Sequence, residues 1–249
     1  MLVKELRRAA IDGIAEAQYV MGFACENGFG CPVDPAEAAM WYRKAAESGF
    51  AAAEHSLGKL YAAGRGVEQS YRQAFLWYEK AAAKGFLLAQ FELAAAYSFG
   101  YGKAADVSAA FQWAQHAAEG GYAPAASYLA SLYEQVEARA DAKLAFHWHK
   151  RAADLGDAGS AFVVACRYEE GDGVSQDEHA AFDWFRRAAA MGSSSAHAHL
   201  VRVYKEGLFG QPVDLAKAKE HEWKRDECHE IELAKLHELV EKPKDIKRD

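Results

Sequence analysis

Ten histidines and four cysteines are the side chains of this chain that most invite a reading as chemistry. A zinc site on a helix uses two His four residues apart with a carboxylate to complete the set. His147-Trp148-His149 and His197-Ala198-His199 have the wrong spacing, because residues two apart on a helix do not share a face. His221, His229 and His237 recur at eight-residue steps, and Cys228 beside His229 offers mixed donors, but no four-residue pair is present. Cys25, Cys31, Cys166 and Cys228 show no metal-type spacing, and Cys25 and Cys31 are near enough in sequence to pair under an oxidant. Whether they do is open; reduced thiols are the default away from oxidising compartments. No Gly-x-Ser-x-Gly elbow, phosphate-binding Gly-Lys-Ser/Thr loop or dinucleotide fingerprint occurs. Glu169, Glu170 and Asp172 cluster as a solvated surface would. These residues lead us to expect no enzyme, no cofactor and no metal.

The chain has 249 residues, 51% of them hydrophobic and 26% charged, with 29 basic and 36 acidic side chains and a net charge of −7. That composition excludes wholesale disorder, a collagen-like fibre and a disulfide-dense mini-domain. A negative charge also argues against non-specific binding to nucleic acid or an anionic membrane. Charges within Met1–Arg8 interrupt any secretory leader, and no run of apolar residues is long enough to span a bilayer. The expectation is a cytoplasmic monomer that neither binds nucleic acid nor inserts into a membrane, periplasmic only if a leader has been removed.

A repeat must position whatever site exists. Trp41, Trp77, Trp113, Trp148 and Trp184 stand 36, 36, 35 and 36 residues apart. Seven residues before each are Asp34, Ser70, Asp106, Asp141 and Asp177, all good helix N-caps. Glu37 and Gln73 follow the first two caps by three residues and predict capping boxes. Eight residues after each Trp come Gly49, Gly85, Gly121, Gly156 and Gly192, which suit the left-handed residue that ends a helix. Each Trp therefore belongs mid-helix in a segment we term helix B. A preceding helix A carries an apolar residue and a Tyr four later, as in Leu57–Tyr61, Leu93–Tyr97 and Leu129–Tyr133. Gly-x-Gly pairs such as Gly64-Arg65-Gly66 and Gly100-Tyr101-Gly102 reverse the chain between A and B. One helix pair cannot bury its apolar face alone, so the units must stack.

The pattern Leu/Met-Gly-x-x-Tyr-x-x-Gly-x-Gly-Val, then Ala-x-x-Trp-Tyr-x-Lys-Ala-Ala-x-x-Gly, resembles the Sel-1-like repeat, a relative of the tetratricopeptide repeat; Leu57 to Gly85 carries it nearly throughout. The resemblance implies an all-α fold, a right-handed α/α superhelix or solenoid of about six helix-turn-helix repeats. The register divides the chain into a half repeat at 1–16 and repeats at 17–52, 53–88, 89–124, 125–159, 160–195 and 196–225. A long charged capping helix from about 215 to 241 and a tail at 242–249 complete it. Repeat four lacks Gly-x-Gly and reads Glu134 to Arg139, which predicts a shorter, differently bent turn. Cys25 stands where the first helix A should carry Tyr, and His221 stands at the Trp position of repeat six. The cysteine pairs of disulfide-rich bacterial relatives are missing.

By analogy with tetratricopeptide geometry, the A helices line a concave groove. In the first repeat this assigns Tyr19, Phe23, Glu26 and Asn27; in the second, His55 and Lys59; in the third, Phe91, Ser98 and Phe99. Tyr128, Ser131 and Glu134 follow, then Phe162, Cys166 and Glu169, then Arg202 and Lys205. Aromatic side chains interleaved with both signs of charge suit a protein or peptide partner. The resemblance implies a non-enzymatic adaptor or scaffold. A dedicated inhibitor or immunity-type protein for one enzyme or toxin is the alternative, and a metal-dependent regulator or enzyme is a third reading that only the histidines support. The Trp residues, with Tyr42 and Tyr78, read as repeat core rather than as a platform for sugar or cofactor.

Overall fold

The computed structural model of the protein describes residues 2–135 and 141–241. Those residues form thirteen α-helices and no strand. In chain order they are α1 (Leu2–Ile11), α2 (Ala15–Asn27), α3 (Pro35–Glu47), α4 (Ala51–Ala63), α5 (Tyr71–Ala83), α6 (Leu87–Phe99), α7 (Val107–Glu119), α8 (Ala123–Gln135), α9 (Ala142–Asp154), α10 (Ala158–Glu170), α11 (Glu178–Ala190), α12 (Ser194–Glu206) and α13 (Leu215–Glu241). The even-numbered helices from α2 to α12 are the A helices of the sequence pattern, and the odd-numbered ones are the B helices. The chain divides into two compact units, with the boundary at Ala125/Ala126.

Local chemistry sets the helix ends. Asp34 Oδ1 accepts from the N–H groups of Ala36 and Glu37 at 2.9 Å, and Asp141 Oδ1 serves Lys143 and Leu144 in the same way. Ser70, Asp106 and Asp177 cap α5, α7 and α11. The capping boxes expected at Glu37 and Gln73 do not close as the sequence suggests. Each cap's own N–H already donates to a carbonyl of the preceding A helix: Asp34 to Cys25 O at 2.8 Å and Ser70 to Tyr61 O at 2.9 Å. Glu37 instead accepts from Trp41 Nε1 at 3.1 Å and pairs with Arg7. The same clamp recurs from Asp106 to Tyr97 O, Asp141 to Tyr133 O, Asp177 to Tyr168 O and Asp214 to Tyr204 O. One position, Asp or Ser, thus both starts helix B and fastens it to helix A.

In the first unit the core is built from Met21, Cys25, Tyr42, Leu57 and Leu60, then Phe75, Tyr78, Leu93 and Tyr97. In the second it holds Phe182, Phe185, Leu200, Val203 and Tyr204. Buried Ala pairs such as Ala45-Ala46 and Ala81-Ala82 let neighbouring helices approach closely. Gly22 and Gly58 lie against the rings of Tyr42 and Tyr78, where a Cβ would sit 2.6 Å from ring carbons. Trp41 and Trp148 are buried, whereas Trp77, Trp113 and Trp184 are half-buried. Lys44, Lys80 and Arg187, each three residues on, cover the faces of Trp41, Trp77 and Trp184 at 4.5, 3.8 and 4.4 Å.

A polar position inside helix A also ties repeats together. Gln18 Nε2 donates to Ala10 O and Gln90 Nε2 to Ala82 O, each reaching the end of the preceding B helix. At the equivalent Glu54, the buried carboxylate accepts from Lys84 Nζ at 2.6 Å, and Lys84 also donates to Gly49 O.

The departures in sequence have local consequences. α8 ends at Gln135 and α9 starts at Ala142, so six residues join them, where seven join α2 to α3, α4 to α5 and α6 to α7. How that shortened turn bends lies outside the described residues. α13 spans 27 residues over the expected range. Among its described side chains only Ala218 is buried, and the exposed ones mix charged groups with the apolar Leu215, Trp223, Ile231 and Leu233.

Candidate protein-interaction site

Three successive A helices of the first unit present ring side chains at one register position. Tyr19 on α2 packs on Phe50 at 5.3 Å, His55 on α4 on Phe86 at 5.3 Å, and Phe91 on α6 on Tyr122 at 5.5 Å. The supporting ring in each case comes from the turn that leads into the next A helix. Tyr19 and Phe91 are half-buried, and the Tyr19 ring also lies 5.7 Å from that of Tyr42. His55 is buried at 6% exposure, and burial, helped by Lys59, holds its imidazole down at about 4. Its neighbour Glu92, 4.0 Å away, has its carboxyl pushed up by burial, so burial works against the charged form of both groups.

A second row is more open. Phe23 and Phe99 are 46% and 63% exposed, and Asn27 and Lys59 are exposed beside them. Phe23 stacks on Phe29 at 5.7 Å; Phe99 stacks on Tyr101 at 5.6 Å, and Tyr101 on Tyr71 at 5.1 Å. Phe29, Tyr71 and Tyr101 were absent from the sequence-based set. The signal for two of them was available: an aromatic residue at the centre of a Gly-x-Gly turn, where nothing in the turn requires one.

In the second unit, Tyr128 and Ser131 are half-buried on α8, and Ser131 Oγ donates to Tyr128 O. Phe162 packs on Phe185 at 5.6 Å, and the half-buried Cys166 thiol is pushed up to about 11, chiefly by burial. Burial raises the Glu169 carboxyl against the opposing pull of Arg202, which lies 3.6 Å away. His199, which the spacing argument set aside, stacks flat on Phe185 at 3.8 Å and approaches Glu169 at 3.6 Å. Lys205 is exposed, but its Nζ is tied to Glu222 of α13 at 2.6 Å. Of the sequence-assigned residues, Tyr19, Phe91, Tyr128, Ser131, Phe162 and Glu169 are thus half-buried, Phe23, Asn27, Lys59, Phe99, Arg202 and Lys205 are exposed, and His55 is buried.

The Sel1 repeat model matches residues 15–50, 51–86, 87–122, 123–157 and 158–193. This chain belongs to the Sel1 repeat family. Among solved structures it is similar to c5321, a protective antigen present in uropathogenic Escherichia coli strains that displays an SLR fold, at 32% identity and a TM-score of 0.81. That match covers 89% of this chain and 48% of c5321, so the chain spans about half the length of that relative. A Sel1 repeat protein from Oxalobacter formigenes is 27% identical with a TM-score of 0.77, over 86% of this chain and 88% of its own. A 37-residue stretch is 51% identical to the chitin synthase regulator SKT5 of Malassezia restricta, 15% of this chain and 3% of that protein. The expected class of fold, an α/α solenoid of Sel1-like repeats, is consistent with these neighbours. Sel1 repeats generally mediate protein–protein interaction, and proteins built from them are generally non-enzymatic scaffolds. No helix among the described residues is long and apolar enough to cross a membrane.

Within this Sel1 framework one constellation has the order of a hydrolytic triad. Ser160 Oγ lies 3.3 Å from His149 Nδ1, and His149 Nε2 lies 3.0 Å from Glu134 Oε1. Ser160 is only 2% exposed, so this arrangement gives a substrate carbonyl no approach to Oγ. Glu134 also pairs with Arg167, which Asp172 holds from the other side at 2.7 Å. The cluster reads as structural polar packing between α8, α9 and α10. Glu134→Ala should then destabilise the second unit by roughly 3 kcal/mol in urea denaturation, since it leaves a buried guanidinium short of a partner. A change of only a few tenths would show that Asp172 suffices. The described residues contain no group of three or more His, Cys, Asp or Glu side chains arranged to hold a metal ion.

Proposed function

We propose that the protein is a monomeric, non-enzymatic adaptor that binds a segment of a partner protein along the groove lined by its A helices. The observation that carries this reading is the row of Tyr19 and Phe91, each packed on a ring of the next repeat and still partly exposed. A ring held in one rotamer loses little entropy on binding, so its contact area contributes more fully to affinity. Exposed Phe23 and Phe99 extend the apolar area, and Lys59, Glu169 and Arg202 supply charges that select and orient the segment. The contribution of Asn27, Tyr128, Ser131, Phe162 and Lys205 belongs to the same proposal, with His55 acting as support from below.

The test is capture of partners from native lysate by wild type and by a Phe91→Lys, Tyr128→Lys double variant, with circular dichroism to check folding. Because both side chains are partly packed, a Phe23→Lys, Phe99→Lys pair on the exposed row provides a variant that leaves the core alone. Loss of the captured proteins with either folded variant supports the groove. One tightly held protein would mark a dedicated inhibitor, and several weaker ones an adaptor. Identical capture by wild type and both variants would overturn the assignment.

A further inference from the structure

Two thiols meet at the first A–B turn. Cys25 Sγ and Cys31 Sγ are 3.8 Å apart, with Cys25 fully buried in the core beside Met21 and Tyr42 and Cys31 half-buried above it. The turn itself brings them together. Gly28 and Gly30 take left-handed backbone conformations at φ 77 and 74°, and the Asp34 N–H then closes back on Cys25 O. The same six-residue step is used elsewhere: Lys103 Nζ reaches Tyr97 OH at 3.0 Å, and Tyr61 and Val67 both pack on the first core cluster. The repeat therefore places a side chain from the turn over the last ring position of helix A, and in the first repeat both partners are thiols.

We infer that Cys25 and Cys31 are an oxidisable pair that a small-molecule disulfide such as glutathione disulfide converts to an intramolecular disulfide. Burial fixes the order of events. The accessible Cys31 thiolate attacks one sulfur of glutathione disulfide, forming a mixed disulfide and releasing one glutathione thiolate. Cys25, after giving its proton to solvent, attacks Cys31 Sγ and expels the second glutathione. Two protein thiols lose two protons and two electrons, and one glutathione disulfide becomes two glutathione molecules. The buried Cys25 thiol is pushed up to about 12, first by burial and then by its contact with Cys31, which makes the second step the slower one. Proximity compensates for the low thiolate fraction. The product closes a loop around Phe29 and holds that ring where it stacks on Phe23.

The experiment treats the reduced full chain with glutathione disulfide and follows intact mass and a non-reducing peptide map. Cleavage after Glu26 separates the two cysteines, so a bond between them appears as two joined peptides. Wild type should lose two hydrogens, with the joined Cys25 and Cys31 peptides replacing both free-thiol peptides, while Cys166 and Cys228 stay reduced. Cys25→Ser should instead retain one glutathione on Cys31, and Cys31→Ser should leave Cys25 unmodified over the same time. A mixed disulfide that persists on wild-type Cys31, or no loss of the two hydrogens, would overturn the inference. The wild-type readout stands even if a variant fails to fold.

Discussion

Gly66→Ala is expected to destabilise the first unit by about 3 kcal/mol or more in urea denaturation, far beyond an ordinary glycine substitution at positive φ. At Gly66 the backbone sits at φ +70°, and an added Cβ would lie 2.1 Å from Pro35 O and 2.2 Å from Pro35 C. Those are backbone atoms at the start of α3, so no rotamer change relieves the overlap. Gly102 makes the equivalent approach to Tyr71 O at 2.2 Å, and Gly173 to Ala142 O at 2.2 Å. Gly85 separates the two causes: its φ is +81°, but nothing lies within 4 Å of a Cβ there. Gly85→Ala should therefore cost only about 1 kcal/mol, the conformational penalty alone. Equal losses at Gly66 and Gly85 would mean that the turn, and not the contact with the preceding B helix, is what requires glycine. The second glycine of Gly-x-Gly would then have no part in stacking the repeats.

This role of Gly66 illustrates what the sequence could and could not carry. Caps, C-terminal glycines and the Trp spacing are signals written within one helix, so Asp34, Gly49 and Trp41 were legible without coordinates. The Sel1 resemblance followed from their shared register. Contacts made across a repeat were not legible. The cap N–H groups go to Cys25 O and Tyr61 O, and this displaced the expected capping boxes. Register alone placed Tyr19 and Phe91 on the candidate site, but it treated His55 as their equal, although Tyr78 and Phe86 enclose it. Spacing along a helix dismissed His149 and His199 as metal ligands. It could not show that Ser160 and Glu134 meet the first, or that Phe185 stacks on the second. Side chains that reach eleven to thirty-three residues along the chain leave no periodic trace.

Those buried histidines make acid the condition under which stability should change most. Burial holds His55 and His199 at about 4, well below the ordinary 6.5. Burial also lowers His149, His197 and His221. In the unfolded chain each of these imidazoles takes up a proton near 6.5, whereas the folded protein resists until a lower pH. Between those limits the unfolded state binds more protons, so their contribution is fully present above pH 6.5 and is lost as pH falls towards 4. A shift of this size corresponds to roughly 3 kcal/mol for His55 in the first unit and a similar amount for His199 in the second. Glu92 and Glu169, whose carboxyls burial pushes up, take protons more readily when folded and offset part of the loss at the acid end. The urea midpoint of the wild type should therefore fall steeply from pH 7 to pH 4. His55→Phe, which keeps a ring between Tyr78 and Phe86, should flatten that fall for the first unit, and His199→Phe for the second. If both variants follow the wild-type curve, the source lies at α13, where His197 Nδ1 and His221 Nδ1 are 2.8 Å apart. That contact needs one nitrogen to donate and the other to accept, so protonating both imidazoles removes the acceptor and sets two positive charges against each other. A His221→Asn variant would then be the one whose midpoint stops tracking pH.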